Sequence, residues 1–176
     1  VETAVITHAH ADHARSGSEN YLTNTFGIPI IKKRLGSKTK VIGLNYGDSK
    51  KIKKVKVSLH PAGHILGSSQ VRLEFKNEVV VVTGDYKIAN DISCEAFEPV
   101  PCNNLITEAT FALPVYHWPD SQFVFDQINK WWISNQERGR CSVLFAYALG
   151  KAQRLLCGID STIGPIGIHG AVEKML

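Results

Sequence analysis

The sequence predicts an α/β fold, and three observations carry that reading. Short β-branched or alternating apolar runs recur along the chain with helix-like stretches between them. The predicted strand ends repeatedly deposit His, Asp or Glu into the following loop. Of the 176 residues, 44% are apolar and 20% charged, a balance that supports a buried core and excludes intrinsic disorder.

Taken in order, Thr3 to Thr7 is a β-branched run suited to a buried strand, and it feeds into His8-Ala9-His10-Ala11-Asp12-His13. A helix is expected from Asp12 to about Thr23. A second strand is expected at Ile28 to Lys32, then a basic helical turn near Arg34 and a loop from Gly43 to Asp48. Val55 to Leu59 alternates with period two and ends at His60-Pro61-Ala62-Gly63-His64. Ser69 to Phe75 alternates again, Asn77-Glu78 is a plausible tight turn, and Val79 to Thr83 is a strand ending in Gly84-Asp85. Leu105 to Thr107 reads as a strand delivering Glu108. Pro119 opens a helix with Val124, Ile128 and Trp131 on one face and Gly139 as its stop. Ser142 to Tyr147 reads as a buried strand, Gly150 to Leu156 as a helix, and Pro165 to Ile168 as strand-like.

Lys and Arg exceed Asp and Glu by 20 to 16, a net charge of +4. Much of the excess is local, in Lys50, Lys51, Lys53, Lys54 and Lys56. That run reads either as a solvated strand edge or as a contact to backbone phosphates. Trp118, Trp131 and Trp132 have two readings as well, bases stacked on them or packing against a helix face. Cys94, Cys102, Cys141 and Cys157 lack CxxC spacing and no secretory signal precedes them, so reduced, mostly buried thiols and a cytoplasmic location are expected. No apolar run approaches membrane-spanning length, and no membrane partner is expected. The chain starts at Val1 rather than Met and runs straight into an apolar stretch, so it reads as a piece of something longer.

Three histidines and an aspartate fall within six residues at one predicted strand end. Imidazole with carboxylate is a donor set for zinc, with manganese or iron as alternatives. His8 and His10 can face one ion, and Asp12 and His13 a second after the chain turns. His64 can complete a three-histidine set, and Asp85 has two oxygens with which to bridge.

These segments, His8-x-His10-x-Asp12-His13, Gly63-His64 and Gly84-Asp85, resemble successive metal-binding motifs of the metallo-β-lactamase superfamily. Pro61 to Ser68, Thr107-Glu108-Ala109-Thr110-Phe111 and Gly150-Lys151-Ala152-Gln153 are similar to segments of its β-CASP nucleases. Ala109 is a mild departure from their acidic motif. Gly84-Asp85-Tyr86-Lys87, the run from Cys94 through Phe97-Glu98-Pro99-Val100 to Cys102, and Leu113 to Trp118 resemble the DNA ligase-associated exonuclease branch, also described as exonuclease-like mRNA 3′-end processing factors.

The resemblance implies a partial αββα sandwich over residues 1–112 and the start of an inserted β-CASP domain over 113–176. It implies two divalent metal ions, zinc or alternatively manganese, held by His8, His10, Asp12, His13, His64 and Asp85. Asp12, Asp85 and Glu108 are the implied catalytic group, with Glu108 supporting the proton donor rather than binding metal. The implied activity is DNA exonuclease, with DNA preferred to RNA as partner and a DNA ligase and helicase as associates. An RNA-processing nuclease and a non-catalytic metal-binding scaffold are the alternatives. The family's early aspartate, its motif B and its final histidine ligand have no match here, so the isolated piece is expected to have little activity. His169-Gly170 superficially resembles the terminal motif, and no role is carried to it.

Overall fold

The computed structural model describes all 176 residues. They form two compact units, Val1–Glu108 and Ala109–Leu176. In the first, β1 (Thr3–Val5), β2 (Asn20–Asn24) and β3 (Val41–Leu44) make a parallel sheet with β2 in the middle. The second sheet runs in sequence order through β4 (Ser49–Ile52), β5 (Val55–Pro61), β6 (Ser69–Phe75), β7 (Glu78–Val82) and β8 (Asn104–Ile106).

The sheets are held together by the side chains that alternation turns inward. Leu22 of the first sheet clusters with Val57, Leu59 and Val71 of the second, and Val5, Leu44, Ile52, Val55, Leu73 and Val82 pack around them. The result is a two-sheet sandwich with a shared apolar layer. Helix α1 (Ile28–Leu35) packs against the first sheet and buries Ile30 and Ile31.

Strand direction then fixes where the loops go. The β4–β5, β5–β6 and β6–β7 pairs are antiparallel and β7–β8 is parallel. So β5, β7 and β8 all point the same way, and the segments leaving them emerge at one edge. These are the segments that carry His64, Asp85 and Glu108. The loop after β1 is tied to the same edge by a hydrogen bond from the Ser69 amide to the Thr7 carbonyl at 2.7 Å.

Several expectations are corrected. Asp12 to Thr23 is not a helix: one turn closes, with the His13 and Ala14 amides donating to the His10 carbonyl, and Gly17 at φ +113° turns the chain away. Tyr21 to Asn24 is buried at every position, as the central strand of a sheet covered on both faces requires. Ile28 to Lys32 is helical rather than extended, because Pro29 sits in the first turn, where its missing amide costs nothing, and two isoleucines fill the buried stripe. The stretch read as a loop from Gly43 begins inside β3. The β6–β7 turn is Lys76-Asn77, both at positive φ, and Glu78 already pairs with Phe75.

In the second unit, Asp120 caps α2 (Ser121–Glu137) by accepting from the Gln122 and Phe123 amides. Gly139 at φ +64° follows the helix end. Phe125 is the residue α2 buries, and Gly158 of α3 (Lys151–Gly158) lies against its ring with no room for a Cβ. Gln153 accepts from the Gly150 amide at 2.6 Å, which fixes the start of α3. Trp131 is exposed and Trp132 half-buried beside Gly164. Ser142 to Tyr147 is not a buried strand: it pairs with no other strand, and Phe145 is 95% exposed. Pro165 to Ile168 is irregular and leads into α4 (Gly170–Glu173), which His169 caps. The thiols are free, but Cys102, Cys141 and Cys157 are exposed rather than buried: Cys102 and Cys141 lie in irregular segments, and Cys157 lies on α3 but is not among its buried residues. No helix is long and apolar enough to cross a membrane.

Leu59 is fully buried between the sheets, whereas Leu66 is 43% exposed. Leu59→Ala is expected to cost about 2–5 kcal/mol, and Leu66→Ala about 0.5 kcal/mol or less. Urea unfolding of the two variants checks the difference.

Candidate metal centre

Each ligand-type side chain is set by a local device. The His8 ring is almost fully buried, and its Nδ1 lies 3.2 Å from the Thr7 hydroxyl, leaving Nε2 directed at the cluster. The single turn after His10 brings His13 back beside His8, ring centroids 4.1 Å apart. His64 follows Gly63, whose φ is +71° and whose Cβ position is filled by the Lys87 carbonyl oxygen. Only glycine fits there. Asp85 follows Gly84, at φ +58°, where a Cβ would lie 2.6 Å from the Thr7 Cβ.

The convergence is close. His8 Nε2 lies 3.1 Å from His10 Nδ1, which lies 3.3 Å from His64 Nε2. The three rings stand nearly edge-on to one another, with centroids 4.8–5.1 Å apart. Asp85 Oδ2 is 3.7 Å from both His8 Nε2 and His64 Nε2, while Oδ1 is 3.2 Å from His13 Nε2. His13 Nε2 is also 3.4 Å from Asp12 Oδ2. One donor atom from each of His8, His10, His64 and Asp85 lies within 4.8 Å of the others. The structure therefore brings together all six residues expected as ligands, in two groups that share the Asp85 carboxylate.

Glu108 stands outside that ligand set. Its Oε1 accepts from the Tyr86 amide at 3.0 Å, so the carboxylate anchors the residue next to Asp85. Lys87 and Ser93 fasten the same loop to Asp91. Burial raises the Asp91 carboxyl, but hydrogen bonds from these two residues outweigh it and hold the group below its usual range.

Electrostatics favour the neutral form of His8 and His64. Burial first, then the neighbouring His13, His64 and His10, push His8 down from 6.5 to about 2. His64 is lowered by burial and by His10, against the opposing pull of Asp85 and Glu108. Ring nitrogens of His8, His10 and His64 lie close enough to one another that a divalent cation could draw on all three lone pairs at once. The donor set thus suits a bound divalent metal.

The sequence marks His64 itself, but its supports only faintly. Ser68 Oγ accepts from the amides of both His64 and Ile65, at 3.1 and 3.2 Å, and the Tyr46 hydroxyl donates to the Ser68 carbonyl at 2.9 Å. The available signal was a serine four residues after the histidine, the spacing of a local side-chain-to-amide turn.

Comparison with protein-family profiles finds no match. Among curated proteins, the chain is 31% identical over 172 residues to a probable DNA ligase of Opitutus terrae, covering 97% of this chain and 17% of that protein. It is 27% identical over 159 residues to endoribonuclease YSH1 of Gibberella zeae, covering 87% of this chain and 18% of that one. It is 31% identical over 131 residues to transcription termination factor FttA of a Lokiarchaeum species, covering 68% and 21% respectively. The motifs at His8–His13, His64 and Asp85 converge in space, and the sequence relatives extend over nearly the whole chain. The chain belongs to the metallo-β-lactamase superfamily, in its β-CASP nuclease group. This metallo-β-lactamase chain spans about a fifth of the length of these relatives. A solved structure of a protein of unknown function from Enterococcus faecalis shares the fold, with a TM-score of 0.51 at 15% identity over 76% of this chain and 39% of that one.

Two predictions follow from the site's supports and charge. Ser68→Ala removes the acceptor that holds the His64 turn and is expected to weaken divalent-metal binding roughly tenfold, measured with zinc as the probe in competition with a chromophoric chelator. The metal-free chain should lose stability on acidification. The unfolded chain takes up a proton at His8 near pH 6.5, while the folded chain does so only near pH 2. Stability is therefore intact above pH 6.5 and falls as pH drops below it. Urea midpoints in chelator at pH 8 and pH 5 test the sign, and an unchanged or higher midpoint at pH 5 contradicts it.

Proposed function

We propose that this chain supplies the metal centre of a phosphodiesterase acting on nucleic acid. The observation that carries the reading is the Asp85 carboxylate, with one oxygen toward His8 and His64 and the other toward His13. In this reading residues 1–112 form the metallo-β-lactamase core and 113–176 the first part of a β-CASP domain.

His8, His10 and His64 would hold one divalent ion, Asp12 and His13 the other, and Asp85 both. When bound, such a pair acidifies a water and offsets charge on a phosphate ester. Zinc suits the imidazole-rich set best, with manganese as the alternative. Thr7 fixes the orientation of the His8 ring, and Ser68 and Tyr46 fix the turn that presents His64. Glu108 acts as a positioning residue, holding the Asp85 loop through the Tyr86 amide.

The finer reading is a DNA exonuclease of ligase-dependent repair, working in the cytoplasm beside a DNA ligase and helicase. Supporting it are the similarity to a probable DNA ligase along 97% of the chain and the Tyr86–Phe97 contact, which packs two segments resembling the ligase-associated branch. The similarity to endoribonuclease YSH1 supports the second reading, an RNA-processing nuclease of the same fold.

Equilibrium dialysis followed by elemental analysis is expected to give two divalent ions per chain, and one in the double variant Asp12→Ala with His13→Ala. Because the chain spans about a fifth of its curated relatives, cleavage is best measured on the full coding sequence. Matched DNA and RNA strands are the substrates. DNA degradation that falls roughly a hundredfold or more in Asp85→Asn is expected. Preferential RNA cleavage moves the assignment to the second reading. Metal binding without cleavage of either strand sinks both and leaves a scaffold.

A further inference from the structure

The β4–β5 hairpin carries two local costs that its own fold does not repay. Lys51 and Lys56 are directly opposite each other across the ladder, a like-charge pair that disfavours the hairpin. Its two-residue turn is Lys53-Lys54, and Lys53 has φ +54°, a conformation that glycine or asparagine adopts far more readily. Carboxylates offset little of this charge. Glu2 lies 3.4 Å from exposed Lys53, and Glu74 lies 3.9 Å from Lys56 while paired at 2.6 Å with Arg72. Lys50, Lys51 and Lys54 are exposed and have no ion pair. Lysine on an edge strand can also serve only to block sheet-to-sheet aggregation. That role does not call for a lysine at the strained turn, nor for two facing each other.

We propose that the β4–β5 hairpin is a nucleic-acid backbone clamp, with Lys50, Lys51 and Lys54 as phosphate contacts. A polyanion relieves the Lys51–Lys56 repulsion and gives Lys54, the second residue of the turn, a partner. The hairpin stands at the start of β5, and the loop carrying His64 leaves the other end. Seven strand residues separate them by about 20 Å. About six phosphates of one B-form strand, at roughly 3.4 Å each, span that length. The identity of the polyanion rests on the phosphodiesterase reading; the existence of the anion site does not.

The test measures binding rather than cleavage, in chelator, so that it is independent of the metal centre. Fluorescence anisotropy with a labelled single-stranded DNA is followed across a salt series. The triple variant Lys50→Ala, Lys51→Ala, Lys54→Ala is compared with an equal-charge control, Lys32→Ala, Lys38→Ala, Lys40→Ala. The hairpin variant is expected to bind roughly ten- to a hundredfold more weakly at low salt, with the log–log salt slope reduced by about 2. The control is expected to retain most of the affinity and slope. Circular dichroism checks that both variants keep their fold, and Lys50→Arg, Lys51→Arg, Lys54→Arg should restore binding if it does. Equal losses in hairpin variant and control overturn the proposal, as does unchanged binding in the hairpin variant. Binding to phosphatidylserine vesicles that depends on the hairpin, with none to DNA, also overturns it. Failure of cleavage by the full-length protein leaves this result unaffected and bears only on the phosphodiesterase reading.

Discussion

Closure of the two sheets on one another is the constraint from which the metal centre follows. His8, His10 and His13 leave the three-stranded sheet, whereas His64 and Asp85 leave the five-stranded one. Nothing covalent brings these groups near each other. The layer formed by Leu22 with Val57, Leu59 and Val71 does so, and the Ser69–Thr7 hydrogen bond fixes the alignment at the edge where the site lies. Burial of apolar area is non-directional and sets only the approach of the sheets. The hydrogen bond and the shared direction of β5, β7 and β8 set the register. A core defect is therefore felt at the site as misplacement of one ligand group against the other, without any ligand being touched.

Close approach of the loops, between the sheets at Gly84 and within the five-stranded sheet at Gly63, also explains the glycines at their bases. At Gly84 a side chain would strike Thr7, the residue that orients the His8 ring, and at Gly63 it would strike the Lys87 carbonyl. Each glycine sits one residue before a ligand. Backbone packed this tightly leaves the ligand side chains little freedom, so the ordering entropy of the site is met during folding rather than on binding. The cost appears as three rings crowded together, with His8 forced far below its ordinary titration range and His64 lowered as well.

Local patterns made the site legible, and long-range pairing hid parts of the fold. His8, His10, Asp12, His13, His64, Asp85 and Glu108 could be picked out because each follows a short strand that alternation or β-branching marks clearly. Tyr21 to Asn24 could not, because a central parallel strand buried on both faces has no period to distinguish it from a buried helix. Ile28 to Lys32 failed for the converse reason: two adjacent isoleucines suggest a strand until the proline ahead of them is read as a helix start. Ser142 to Tyr147 has strand-like residues but no strand beside it, and β structure is a property of pairs. Ser68 and Tyr46 were invisible as supports, since their value lies in the backbone groups they meet after the chain has folded.

Charge then separates the tasks of holding metal and holding substrate. Asp12, Asp85 and Glu108 put three carboxylates at or beside histidines of which His8 and His64 stay neutral near pH 7. Without cations such a site repels a phosphate, and with two divalent ions its charge reverses. Attraction for a polyanion at the centre is thus conditional on metal, and screening confines it to about 8–10 Å around the ions at physiological ionic strength. In the proposed function, holding a nucleic-acid substrate calls for cationic side chains whose charge does not depend on metal. The lysines of the β4–β5 hairpin, at the far end of β5 from the centre, meet that requirement without competing with the imidazoles for the same ions, because an ammonium has no lone pair to offer. Under that proposal, the separation of the lysine-rich hairpin from the histidine cluster is what the electrostatics of the two tasks favour.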